Sequence, residues 1–287
     1  MPAGVLNVVQ GYGEEAGQPL VEDARVAVVS FTGSTAVGRM IARVAGERLA
    51  KVCLELGGKN AFVVCDDADL ERAADAAALS AFSNAGQRCA SGSRIVVFDA
   101  VYERFRDLLS ARAAAQRVGP GDEDDFGPVV NERQLEQMLA ALERARSGGA
   151  RVIAGGERLP QPGFYLAPTL VEDAPLESEI ACTELFGPIA TLHRVSSFEE
   201  ALRAAHSTPY GLTAAIWTRS VDRAQEFVAR IQCGAVQVNG PTYGFEPHVP
   251  FGGERDSGTG WREAGTEALD VYSDWKTVFV NHDPDAV

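Results

Sequence analysis

Short apolar runs rich in β-branched residues alternate along this chain with stretches of helical periodicity, and this alternation restricts the possible fold more than any other feature. The chain has 287 residues, which is enough to bury a large core and to form one or two domains. Strands that alternate with helices are typical of α/β proteins, in which crossover helices connect parallel strands. The sequence therefore predicts an α/β fold with a mainly parallel sheet.

The predicted elements fall into two groups that meet near residue 57. The first group has strands at 5–9, 26–30 and 52–56, with a helix at 35–50. The second group has helices at 69–82, 101–117 and 133–146, and strands at 61–64, 94–98, 189–195, 212–218 and 235–239. A final strand is predicted at 276–280, and it could either complete a sheet of this chain or pair with another subunit.

The overall charge excludes several classes of partner. There are 26 basic and 40 acidic residues, for a net charge of −14, and no block of Lys and Arg forms a basic stripe. Nucleic acid is therefore not an expected partner. No apolar run reaches about 18 residues, so no membrane span is expected. The start Met1-Pro2-Ala3-Gly4 has neither the positive charge nor the apolar core of a signal peptide.

The cysteines indicate a reducing compartment. Their number is odd and none has CxxC spacing, so we expect free thiols, a cytoplasmic protein, and neither a disulfide framework nor a metal site. Cys53 and Cys65 lie in strand-like runs and are expected to be buried.

Cys89 is the strongest candidate for a nucleophile, in the string Asn84-Ala85-Gly86-Gln87-Arg88-Cys89. A thiol attacks a carbonyl as the thiolate, which needs a partly exposed site with positive potential or helix-end dipoles. Gly86 and Gly92 suit a loop whose backbone amides approach a reacting carbonyl and hold the oxyanion. The alternative for any single cysteine is a buried structural role.

Glu55 is the matching candidate for a general base, and it lies 89 − 55 = 34 residues before Cys89. It ends an apolar strand in the string Leu54-Glu55-Leu56-Gly57-Gly58-Lys59. Burial raises the pKa of a carboxyl, and a raised pKa suits a base that works near neutral pH. A salt bridge to Lys59 or Lys51 is the alternative.

Two further strings suit a nucleotide. In Phe31-Thr32-Gly33-Ser34-Thr35 a strand leads through a glycine turn into a helix, whose N-terminus can bind pyrophosphate. This is not the GxGxxG fingerprint, and a plain turn with Ser34 as N-cap explains it equally. In Glu184-Leu185-Phe186-Gly187-Pro188, Glu184 could accept ribose hydroxyls and Phe186 could pack on a nicotinamide face. An acidic turn before a strand is the alternative.

All four strings occur in the order found in the aldehyde dehydrogenase superfamily, which this chain therefore resembles. Further matches at Phe126-Gly127-Pro128, 209–212, Asn239 and 250–253 extend the resemblance over essentially the whole chain. The resemblance implies four regions: the remainder of a Rossmann-like cofactor domain at 1–57, an α/β catalytic domain at 58–255, a return to the cofactor domain at 256–273, and an oligomerisation strand with its tail at 274–287.

The resemblance also implies a role for each candidate residue. Cys89 would be the catalytic nucleophile and Glu55 the general base, acting on a small-molecule aldehyde. NAD or NADP would be bound by Gly33, Ser34, Leu56, Gly57, Glu184 and Phe186, and the substrate pocket would include Arg88, Asn239 and Phe251. A complete enzyme would be a homo-oligomer, either a dimer or a tetramer.

Arg88 and the strings Pro241-Thr242-Tyr243-Gly244 and 260–266 look more like branches of the family that oxidise carboxylated semialdehydes. An arginine near the mouth of the site could pair with a substrate carboxylate, although a structural ion pair is equally consistent with the sequence.

Family members carry part of a cofactor domain ahead of the position that matches Met1, so the resemblance implies an N-terminally truncated chain. The first alternative to an active dehydrogenase is therefore a catalytically incomplete chain, either a fragment or one half of a split enzyme that needs a partner chain.

The second alternative is a cysteine hydrolase. Such an enzyme would need a histidine partner for the cysteine. The four histidines lie in no recognisable partner motif: His193, His206, His248 and His282.

Overall fold

The computed structural model describes residues 1–282. Its strands are β1 (Val28–Thr32), β2 (Lys51–Glu55), β3 (Ala61–Val64), β4 (Arg94–Phe98), β5 (Arg151–Ala154), β6 (Thr169–Glu172), β7 (Ile189–Val195), β8 (Tyr210–Gly211), β9 (Thr213–Trp217), β10 (Ala235–Val238) and β11 (Glu254–Arg255). Its α-helices are α1 (Gln18–Glu22), α2 (Thr35–Gly46), α3 (Leu70–Phe82), α4 (Tyr102–Ala115), α5 (Glu132–Ser147), α6 (Glu179–Cys182), α7 (Phe198–His206), α8 (Val221–Arg230) and α9 (Leu269–Tyr272).

A seven-stranded sheet forms the centre of the larger part of the chain. Its strand order is β10-β9-β3-β4-β7-β6-β5, and all neighbouring pairs are parallel except β5 and β6. The predicted α/β fold with a mainly parallel sheet is therefore confirmed. Strands β3, β4 and β7 have the predicted bounds, and every residue of β3 and β4 is buried. Burial on both faces is expected of parallel strands that helices cover.

Helices cover both faces of this sheet. On one face, α3, α4 and α5 contribute Phe82, Phe105 and Leu142 to the largest hydrophobic cluster. On the other face, α7 and α8 contribute Ala204 and Phe227 to a second cluster. These two layers hold the sheet rigidly, and the ends of its strands therefore provide fixed positions for a functional site.

A smaller βαβ unit is formed by β1, α2 and β2, whose strands are parallel. Ser34 is the N-cap of α2, since its hydroxyl accepts a hydrogen bond from the Val37 amide. Ile41 packs with Leu54 and Leu56 in a separate small hydrophobic cluster. Strands β1 and β2 end together at the carboxyl edge, the usual ligand-binding edge of such units.

The chain returns to this unit after β11. The Leu56 amide donates to the Ser257 carbonyl at 2.9 Å, and the Thr259 amide donates to the Leu54 carbonyl at 3.3 Å. Further along, Lys51 Nζ donates to the carbonyls of Asp270 and Ser273. Residues 256–273 therefore cover one edge of β2.

Two predicted strands are absent from the described residues. The segments 5–9 and 276–280 are not strands, and no part of residues 1–282 pairs with them. Phe279 is 85% exposed. Neither segment completes a sheet within residues 1–282, because it has no neighbouring strand to pair with its amides and carbonyls. The pairing of 276–280 with another subunit stays a prediction. Residues 283–287 of the predicted tail lie outside the described residues.

Other differences concern boundaries and missed elements. The predicted helix at 35–50 ends at Gly46, and Leu49 then adopts a left-handed conformation with φ of 58°. The sequence prediction missed β5, β6, α7 and α8. Over residues 1–282, no helix has both the length and the apolar character required to cross a bilayer.

Candidate active site

A cavity of about 880 Å³ lies between the carboxyl ends of β1 and β2 and the amino ends of the larger sheet. Nine of the eleven predicted site residues line it: Gly33, Ser34, Leu56, Gly57, Arg88, Cys89, Glu184, Phe186 and Phe251. These residues come from five separate stretches of the chain, so the fold brings together groups that the sequence only suggested were related.

The loop before Cys89 has an unusual backbone. Asn84, Ala85 and Gly86 are all left-handed, with φ of 55°, 55° and 64°. Such conformations cost about 1 to 3 kcal/mol at a non-glycine residue, and they persist only where the surrounding structure holds them. Here the Ser91 hydroxyl donates to the Gly86 carbonyl at 3.0 Å. The turn therefore brings the Cys89 side chain to the cavity wall.

Asn60 anchors this loop to the sheet. Its Nδ2 donates to the carbonyls of Cys89 at 2.7 Å and Ser91 at 2.8 Å, and its Oδ1 accepts from the Thr213 amide at 3.0 Å. The Asn60 side chain is buried, so these bonds are shielded from water. The sequence analysis did not single out Asn60, although it directly follows the Glu55 string.

The electrostatics around Cys89 favour the thiol over the thiolate. Cys89 is half-buried, and burial raises the pKa of its thiol, as do the negative charges of Glu184 and Glu55. The backbone amides of Ala90 and Cys89 act in the opposite direction. Removing either carboxylate charge would therefore favour the reactive thiolate.

Glu55 is a buried carboxylic acid. It is 4% exposed, and neither carboxylate oxygen has a hydrogen bond of good geometry among residues 1–282. Burial, with the nearby charge of Glu263, raises its pKa to about 8, and the Arg262 cation and the nearby Gly253 backbone amide only partly offset this. Neither alternative salt bridge of Glu55, to Lys59 or to Lys51, is formed within residues 1–282, and Lys51 pairs instead with Asp274 at 3.0 Å.

Glu184 lies directly on the glycines that follow Glu55. Its Oε1 accepts from the Gly58 amide at 3.0 Å. A Cβ atom at Gly57 would be 2.1 Å from Glu184 Oε2, so a side chain at position 57 would displace the Glu184 carboxylate from its present position. Burial raises the pKa of Glu184 to about 7, against the effects of the Gly58 amide and the Lys59 cation. Phe186 is partly exposed at the same wall.

Arg88 has an aromatic neighbour and, within residues 1–282, no partner in a salt bridge. Its guanidinium carbon lies 4.3 Å from the centre of the Tyr243 ring. No carboxylate of the part of the chain that the structure describes forms a salt bridge with it. The structural ion pair considered from the sequence is therefore not formed within residues 1–282.

Asn239 is placed away from the cavity wall. Its Nδ2 donates to the Thr218 carbonyl and its Oδ1 accepts from the Thr218 amide, both at 3.0 Å. This exchange connects the end of β10 to the end of β9. The side chain thus acts on the sheet that supports the site and does not face the cavity.

Several lining residues were not predicted. Gln134 and Gln137 face the cavity from α5. Phe245 also lines it, with its ring centre 5.2 Å from that of Phe251. Phe245 directly follows Pro241-Thr242-Tyr243-Gly244, a segment typical of the family, and this adjacency could have identified it as a site residue. No sequence signal identifies the two glutamines, because the orientation of their helix depends on tertiary packing.

Other chemistries find less support in this site. Among residues 1–282, no group of three or more His, Cys, Asp or Glu side chains is arranged to hold a metal ion. No histidine of the described residues, 1–282, lines the cavity that contains Cys89, so the site lacks the partner that a cysteine–histidine hydrolase needs. His193, for example, is buried and its Nε2 lies 2.9 Å from the Thr191 hydroxyl.

The fold places a half-buried thiol, Cys89, in a cavity at the junction of a βαβ unit and a larger parallel sheet. The buried Glu55 directly precedes two other residues of the cavity wall, Leu56 and Gly57. The chain belongs to the aldehyde dehydrogenase family, whose model, described as "Aldehyde dehydrogenase family", matches residues 1–278.

Relatives with several substrates are similar to this chain. A 2,5-dioxopentanoate dehydrogenase of Saccharolobus solfataricus is 41% identical over 97% of this chain and 59% of its own length. A betaine aldehyde dehydrogenase of Cereibacter sphaeroides is 42% identical over 99% of this chain and 59% of its own length. A solved 1-pyrroline-5-carboxylate dehydrogenase from Thermus with bound NAD is 35% identical, with a TM-score of 0.91, over 95% of this chain and 54% of that one. The chain thus spans somewhat more than half the length of these relatives.

Proposed function

We propose that this chain carries the catalytic part of an NAD(P)-dependent aldehyde dehydrogenase, which oxidises an aldehyde to the carboxylic acid. The observation that carries the proposal is a half-buried thiol, Cys89, in the wall of a cavity that is also lined by Leu56 and Gly57, the two residues that follow the buried Glu55. The negative charge of Glu55 raises the pKa of the Cys89 thiol, though less than burial and the charge of Glu184 do. A nucleophile and a base near one cavity are the two reacting groups that the oxidation requires.

The residues around the cavity fit a nicotinamide cofactor. The turn Gly33-Ser34 opens the N-terminus of α2, a helix of 12 residues that favours a pyrophosphate there. Glu184 presents a carboxylate for ribose hydroxyls, Gly57 leaves the space that a side chain would fill, and Phe186 offers an aromatic face. When bound, the cofactor supplies the hydride acceptor of the reaction. The NAD bound by the Thermus relative favours NAD over NADP.

In the first half of the proposed reaction, the Cys89 thiolate adds to the aldehyde carbon and forms a thiohemiacetal. Backbone amides of the Cys89 loop are available for the oxyanion, since the loop is pinned by Asn60. Oxidation of this adduct leaves a thioester on Cys89. Covalent catalysis of this kind divides one difficult step into two easier ones.

In the second half, Glu55 takes a proton from the water that attacks the thioester. The acid leaves, and the Cys89 sulfur is released for the next cycle. Only ionised Glu55 can accept this proton, and its pKa is raised to about 8. We therefore expect the hydrolytic step to accelerate as the pH rises through about 8.

The cavity favours an aldehyde that also carries a carboxylate. Arg88 is half-buried, lines the cavity beside Cys89, and has no acidic partner within residues 1–282. The similarity to the 2,5-dioxopentanoate dehydrogenase supports a semialdehyde of this class. The similarity to the betaine aldehyde dehydrogenase is of the same degree, but a guanidinium in the wall would repel a cationic substrate.

The test is a stopped-flow assay of NADH formation with Glu55→Gln. Without the base, the thioester should form and then persist, so the variant should give a burst of NADH followed by little turnover. Glu123→Gln, at an exposed position, is the matched control and should behave as the wild type. Steady-state turnover in Glu55→Gln equal to that of the wild type would refute the assigned role.

A second proposal concerns assembly. Residues 275–280 belong to no helix or strand of the described chain, and Trp275 is 94% and Phe279 85% exposed. We propose that this segment pairs with a neighbouring subunit in a homo-oligomer. Light scattering of a chain that ends at Asp274 should then show a smaller assembly than the full chain. An unchanged molar mass would contradict the exchange.

A further inference from the structure

The Arg88 guanidinium is held by an aromatic ring and by little else. Its carbon lies 4.3 Å from the centre of the Tyr243 ring, and none of its N–H groups donates a hydrogen bond to residues 1–282. A guanidinium stacked on an aromatic face keeps its donors free in the plane of the group. The five donors of Arg88 are therefore available to a ligand.

The ring itself is fixed to the loop that carries Cys89. The Ser83 hydroxyl donates to the Tyr243 hydroxyl at 3.0 Å. The neighbouring Thr242 is fully buried, and its hydroxyl donates to the Ala90 carbonyl at 2.6 Å. Tyr243 and the nucleophile loop are thus parts of one rigid unit, and the position of the ring determines where Arg88 lies relative to the thiol.

A free arginine side chain would have to be ordered when an anion binds, at a cost of about 1.5 to 2 kcal/mol in rotamer entropy. Stacking on a fixed ring lowers this cost, because the guanidinium is already confined beside the cavity. The same contact also keeps Arg88 from reaching carboxylates elsewhere on an acidic protein of net charge −14.

We propose that Tyr243 is a positioning residue that holds Arg88 beside Cys89, so that the site selects electrophiles carrying a carboxylate. The substrate class rests on the proposed function, but selection of an anion by Arg88 can be measured without cofactor or turnover. Tyr243 acts through Arg88 and touches no reacting atom in this assignment.

The experiment compares the alkylation of Cys89 by a charged and a neutral reagent of similar size. Iodoacetate and iodoacetamide form one pair, and 4-maleimidobutyrate and N-propylmaleimide form a longer pair. Peptide mass spectrometry gives the rate at Cys89, and each rate is divided by that of glutathione under the same conditions. The ratio of the charged to the neutral reagent then measures anion selection, while the neutral reagent alone reports access to the thiol.

We expect Arg88→Gln to lower this ratio by roughly tenfold or more, as for a lost hydrogen-bonded charge pair. Tyr243→Leu should lower it about two- to fivefold, the range of one partly exposed cation–π contact. Tyr243→Phe is the comparison variant: it keeps the ring face but loses the hydrogen bond from Ser83, so its ratio should fall less than that of Tyr243→Leu. Tyr243→Trp should keep or raise it.

Three results would overturn the assignment. The first is an unchanged ratio of charged to neutral reagent in Arg88→Gln. The second is a ratio that falls in Arg88→Gln but keeps the wild-type value in Tyr243→Leu. Equal losses of both rates in Tyr243→Leu would show a merely structural role, and Tyr243→Phe provides the folded comparison. Anion selection without any aldehyde oxidation would instead refute the proposed function and leave the role of Tyr243 intact.

Discussion

Replacing Glu55 by glutamine is expected to stabilise the folded chain at alkaline pH. The carboxyl is 4% exposed, its two oxygens have no hydrogen-bond partner within residues 1–282, and Glu263 lies near enough to repel its negative charge. Ionisation of Glu55 in the folded state therefore places in the interior a charge that Arg262 only partly compensates. A glutamine of similar shape cannot ionise, so it avoids this cost.

The magnitude follows from the shift of the pKa, from an ordinary 4.5 to about 8. Because the folded pKa is raised, the wild type loses stability as the pH rises from the unfolded value through the folded one. Each pH unit in this window is worth about 1.36 kcal/mol, which gives an upper limit of about 5 kcal/mol above pH 8. Between pH 6 and pH 9, the variant should gain about 2 to 3 kcal/mol over the wild type.

The assay is urea unfolding at pH 6 and pH 9, followed by the fluorescence of the three tryptophans. The quantity compared is the difference in unfolding free energy between Glu55→Gln and the wild type at each pH. Glu123→Gln should show no pH-dependent difference, since its side chain is exposed. If the difference in unfolding free energy between Glu55→Gln and the wild type is the same at both pH values, Glu55 is not a buried carboxyl with a raised pKa.

Three further substitutions test the site and its support. Asn60→Ala leaves the carbonyls of Cys89 and Ser91 without their buried donor. The free energy of unfolding in urea should fall by about 2 to 4 kcal/mol, and iodoacetamide should alkylate Cys89 more slowly. An unchanged alkylation rate would show that Asn60 does not hold the Cys89 loop in place. Gly57→Ala should displace Glu184 and weaken NAD binding in a calorimetric titration, and wild-type affinity would contradict this. Phe227→Ala, in the core on the far face of the sheet, should cost about 3 to 5 kcal/mol while the folded protein keeps the wild-type alkylation rate; a lower rate would show coupling to the site.

The central strands could be predicted with their bounds because their signal is local. The segments of β3, β4 and β7 are short, β-branched and apolar, and burial on both faces leaves such runs uninterrupted. The helices α7 and α8 were missed, although Ser197 and Ser220 cap them and were usable start signals. The apolar segments 5–9 and 276–280 form no strand within residues 1–282. Whether such a segment becomes a strand depends on a neighbouring strand, which the local sequence does not encode.

The sequence by itself determined the reacting groups of the proposed reaction, because Cys89 and Glu55 stand in strings whose order and spacing are specific. Only the tertiary structure decided their environment. It left the Glu55 carboxylate without partners, pinned the Cys89 loop through Asn60 and stacked Arg88 on Tyr243. The pKa of a carboxyl and the position of a guanidinium depend on groups distant along the chain, whose approach is set by packing and which no local pattern encodes.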